Sequence, residues 1–84
     1  MDTEIEEVIL YIEELESEGS VPRNVKLKLS LLSKELKNIT KENKSLIINK
    51  MLSNLDELSG DVNLDSFTRQ QIWSISSMLE SIVN

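Results

Sequence analysis

A chain of 84 residues with net charge −6, 39% apolar residues, no histidine and no cysteine folds as one domain, 1–84, around a small core. It lacks the usual neutral-pH general base, the thiol nucleophile and any disulfide framework. No apolar run approaches the roughly 20 residues of a bilayer span, and the acidic N-terminus is unlike a signal peptide, so a soluble cytoplasmic protein is expected.

The first predicted helix, Asp2–Glu18, puts Ile5, Val8, Ile9, Ile12 and Leu15 on one face. Its early acids suit the positive end of the helix dipole, and Gly19 is its stop. The second, Pro22–Asn38, carries the inward stripe Val25, Leu29, Leu32, Leu36 and Ile39. Proline fits the first helical turn, where no N–H is required, which leaves Ser20 or Val21 as the cap. The polar run 40–45, with Thr40 or Asn43 as a cap, leads to a third helix, Lys44–Ser59, with stripe Ile48, Met51, Leu52, Leu55 and Leu58 and Gly60 as its stop. The fourth, Asp65–Val83, has the stripe Thr68, Ile72, Ile75, Leu79 and Ile82. Four helices with short connections predict an all-α, up-and-down four-helix bundle.

The two halves align without a gap at an offset of 43 residues. Ile12 falls on Leu55, Leu15 on Leu58, Val21 on Leu64, Leu29 on Ile72 and Leu36 on Leu79. The chain therefore reads as two helical hairpins in tandem. Charge is segregated along it: residues 1–18 hold eight acids and no base, and residues 19–50 hold eight bases and two acids. Pairing between neighbouring antiparallel helices is the simplest use of that pattern.

The run VPRN at 21–24, the run LDELSGD at 55–61 and the run TRQQIW at 68–73 resemble a family of small uncharacterised archaeal proteins. The similarity covers nearly the whole chain. It implies a bromodomain-like four-helix bundle and supplies no activity. The family usually has prolines where this chain has Val62 and Asp65, and a histidine where it has Phe67, so no role for that histidine carries over.

Asp61, Asn63 and Asp65 match the opening of a calcium loop, but Ser66 stands where the turn needs glycine and Ile72 where the bidentate glutamate belongs. These residues read as caps that satisfy free amides at the start of the fourth helix, and no metal, cofactor or small-molecule substrate is expected. At roughly 100° per residue, Arg23, Lys26, Lys34, Lys37 and Lys41 share one side of the second helix. That side reads as a solvated face paired with the first helix, or as a weak anion- or nucleic-acid-binding surface without interleaved aromatics. Leu27, Leu31 and Trp73 lie roughly 140° from their inward stripes, and Leu10 and Leu46 are also off-stripe. Each is either packed at a helix boundary or part of a partner surface. The reading is a non-enzymatic interaction module that self-associates or binds another protein. Trp73 with Arg69 is its first candidate site and Leu27 with Leu31 its second.

Overall fold

The computed structural model describes residues 2–83. Four α-helices, α1 (Thr3–Glu16), α2 (Arg23–Lys37), α3 (Lys44–Ser59) and α4 (Ser66–Val83), form an up-and-down bundle. Each helix lies alongside two neighbours, and the diagonal pairs, α1 with α3 and α2 with α4, do not run side by side. The predicted stripes form the core: Ile5, Ile12, Leu29, Leu36, Ile48, Leu55, Ile72 and Leu79 are fully buried. Ile39, Leu52 and Ile82 are only partly buried and pack against its margin.

The helix boundaries show how local chemistry starts and stops each element. Asp2 caps α1, its carboxylate accepting the Glu4 N–H at 2.9 Å. Neither Ser20 nor Val21 caps α2. Pro22 does, with φ −58° and ψ 147°, its carbonyl accepting the Lys26 N–H at 3.0 Å. Its ring holds φ near this value without strain, and Val21 turns into the core instead. Before α3, the Thr40 and Asn43 side chains each accept the other's backbone N–H. Asp65 caps α4 by accepting the Thr68 N–H at 3.1 Å.

The 43-residue offset extends to individual hydrogen bonds. The N–H groups of Ser17, Glu18, Val21 and Lys26 donate to the carbonyls of Glu14, Leu15, Glu18 and Pro22. Those of Gly60, Asp61, Leu64 and Arg69 donate to Glu57, Leu58, Asp61 and Asp65. The hairpins nevertheless meet unequally, because α1 packs on α4 more closely than α2 packs on α3.

Two capping carboxylates carry a pH dependence. The Lys44 ammonium and the Glu4 amide hold the Asp2 carboxyl below its ordinary value of 3.8. The Thr68 hydroxyl and amide do the same for Asp65, and of the two the amide donates the hydrogen bond. A carboxyl whose folded pKa is depressed contributes stability above its unfolded value and loses that contribution as pH falls through the folded one. The thermal midpoint is expected to drop as pH is lowered through and below 3.8. Asp65→Asn, which keeps a capping oxygen, should flatten the response in thermal unfolding measured against pH. An unchanged slope in that variant would assign the acid sensitivity elsewhere.

Candidate functional site

Trp73 points out of α4 beside Leu52, Asp56 and Ser59 of α3 and is 55% exposed. Arg69, one turn earlier, is committed elsewhere. Its Nε donates to the Ser59 carbonyl at 3.0 Å and an Nη to the Asp61 carbonyl at 2.8 Å. A guanidinium meeting carbonyls at the C-terminal end of α3 is favourable with respect to both hydrogen bonding and the helix dipole. Of the expected Trp73–Arg69 pair, the indole alone faces outward unengaged.

Leu27 and Leu31 lie on α2 and are 61% and 60% exposed. Leu31 borders a groove between α2 and α3, which continues over Leu32, Leu55 and Leu58 and holds about 250 Å³. A second stretch, towards Asn38, Asn43 and Ile47, holds about 350 Å³. The Lys50 ammonium approaches the Glu35 carboxylate across the same seam at 3.7 Å.

The repeat explains the groove. Its counterpart at the α1–α4 seam, lined by Tyr11, Glu14, Leu15 and Gln71, holds about 110 Å³. There Tyr11 lies half-buried across the seam and donates its hydroxyl proton to Gln71 Oε1, while Met78 packs against the core. At the same positions of the α2–α3 seam stand Asn54 and Glu35, which are too short or too polar to close it. Neither was evident as a site residue from the core periodicity. Comparing the halves at their off-core positions would have revealed them.

The basic side of α2 pairs with α1 once, through Lys37 and Glu13 at 2.8 Å. Lys44 pairs with Asp2, also at 2.8 Å. Arg23, Lys26, Lys34 and Lys41 form no ion pair among the described residues. The expected neutralisation of α1 by α2 is therefore slight, because most α1 acids project to solvent. In the calcium-like turn, Asp61 Oδ1 accepts the Asn63 N–H at 2.9 Å, so Asp61 serves the turn rather than the start of α4, and of the three expected caps only Asp65 accepts an amide of α4. Among the described residues, no group of three or more acids converges as metal ligands would. None of the described helices is long and apolar enough to cross a membrane.

The profile of the Uncharacterised protein family (UPF0147) matches residues 1–82. The UPF0147 protein of Thermoplasma volcanium is 36% identical over 90% of this chain and 84% of its own length. That of Methanocaldococcus jannaschii is 35% identical over 89% and 80%, and that of Methanosarcina mazei 34% over 93% and 83%. No solved structure matches the chain significantly.

Proposed function

The chain belongs to the UPF0147 family, whose name assigns no activity, and we propose that it is a non-enzymatic module that holds protein partners by apolar side chains outside its core. The observation that carries this reading is the exposure of Leu27, Leu31 and Trp73 beside a core that is already continuous through all four helices. Large side chains of this kind anchor interfaces when a partner removes them from water. Absent histidine and cysteine also weigh against general-base and thiol chemistry.

A second reading, weak anion or nucleic-acid binding, draws on the bases of α2 that lack ion pairs. The acids of α1 beside them oppose a polyanion. A salt titration separates the two, because phosphate contacts weaken steeply with salt.

Trp73→Ala tests the first reading. A fully buried tryptophan would lose about 3–5 kcal/mol on truncation. For this half-exposed one the expected cost is about 1 kcal/mol, with loss of association in sedimentation of the protein alone and with partners recovered by pull-down. A loss of about 3–5 kcal/mol with association unchanged would place Trp73 in the fold and remove it from the surface.

A further inference from the structure

We infer that the groove between α2 and α3 is a docking site for an acidic amphipathic helix on a partner protein, an assignment that rests on the interaction role above and names the chemistry of the partner. The first ground is the seam itself. The position that Tyr11 fills across the α1–α4 seam, leaving about 110 Å³ there, is held by Asn54 between α2 and α3, where about 250 Å³ stays open beside Glu35. The floor beneath, Leu32, Leu55 and Leu58, belongs to the buried core, so the apolar surface open to a partner is that of Leu27 and Leu31 on the rim.

The second ground is length. Along α2 the groove runs from Lys28 to Asn38, about 15 Å at 1.5 Å per residue, or three turns of a docked helix. Such a helix presents apolar side chains at i, i+3 or i+4, and i+7. Leu31, and Leu27 one turn before it, form an apolar rim against which the first of these would pack.

Charge selects the flanks. Lys28 and Lys34 line the α2 edge without ion pairs among the described residues, whereas Glu35 is already met by Lys50. Acids beside the apolar stripe of the partner would meet those two ammonium groups. Glu57, at one end of the groove, disfavours an acid there and so gives the docked helix a direction. A second copy of this chain fits less well. Its acidic helix, α1, exposes one leucine, Leu10, between Glu7 and Glu14, a single anchor for a three-turn groove. A nucleic-acid strand would leave the exposed Leu27 and Leu31 without an apolar partner.

The test uses the full chain and a labelled peptide of about 16 residues, long enough to hold a helix, with leucines at i, i+3 and i+7 and glutamates on the flanks. Fluorescence anisotropy is expected to show saturable binding. Placing in the seam the residues found at the equivalent positions of the other half, with Asn54→Tyr and Glu35→Met together, should weaken it by about tenfold or more. Leu31→Glu, which leaves the core untouched, should give a similar loss should the filled variant fold poorly. Trp73→Ala should bind the peptide as the parent does. A lysine-flanked version of the peptide should not bind. Equal binding by the parent and both groove variants would overturn the assignment, as would equal binding of the lysine peptide. A change in sedimentation of the protein alone on filling the groove would make a second copy the occupant and overturn it too. Absence of peptide binding, with association still lost in Trp73→Ala, would remove the groove while leaving the interaction role in place.

Discussion

Leu29→Ala and Ile72→Ala are each expected to lose about 2–5 kcal/mol of folding stability. Both side chains are fully buried, and they occupy the same position in the two hairpins, one on α2 and one on α4. Truncation removes the transfer energy of three carbons and leaves a cavity that close-packed neighbours fill only in part. A chain of this length has about 4–13 kcal/mol in total, so either change removes a large share of it. The thermal midpoint should fall by at least about 8 °C. Chemical and thermal unfolding of the two variants beside the parent measures this. Losses below about 1 kcal/mol at both sites would mean that the four stripes do not meet in one core.

Arg69→Ala is the second large effect, and its interest is the contrast with Lys26→Ala. The two residues are equivalent by the 43-residue offset, and their backbone N–H groups make the same bond to Asp65 and Pro22. Their side chains differ. Arg69 ties the end of α3 to the start of α4 through two carbonyls, whereas Lys26 makes no ion pair among the described residues. Hydrogen bonds from a charged donor contribute about 1.5–3 kcal/mol, and removal of this fork should cost an amount in that range. Lys26→Ala should stay within about 0.5 kcal/mol. Arg69→Lys should recover only part of the loss, since an ammonium lacks the planar fork that reaches both oxygens. Unfolding of the three variants decides it, and equal behaviour of Arg69→Ala and Lys26→Ala would show that the side-chain bonds do not hold the turn.

Much of the bundle is legible in the chain because apolar residues recur at helical spacing and the turns carry Gly60, Pro22 and Asp65. The off-stripe positions Leu10, Leu27, Leu31, Leu46 and Trp73 are exposed, as their angles on the helix require. The cap of α2 was less legible, because Pro22 fits both the cap and the first helical position. Arg69 stood among the outward residues on the wheel of α4. A wheel shows only its own helix, and the carbonyls that hold Arg69 belong to the preceding turn. The groove was hidden for a related reason. Asn54 and Glu35 are ordinary surface residues until α2 and α3 are known to lie side by side and Tyr11 is seen to lie across the opposite seam.

Tandem connection has a geometric consequence. In a bundle assembled from two identical hairpins, a two-fold axis makes the seams equal, and any residue that closes one closes both. A tyrosine at the position of Asn54 would then accompany every tyrosine at the position of Tyr11. Once both hairpins lie on one chain, each seam varies alone. Tyr11 can narrow one seam to about 110 Å³ while Asn54 and Glu35 leave the other at about 250 Å³, so that the two sides of an 84-residue molecule are packed to different tightness.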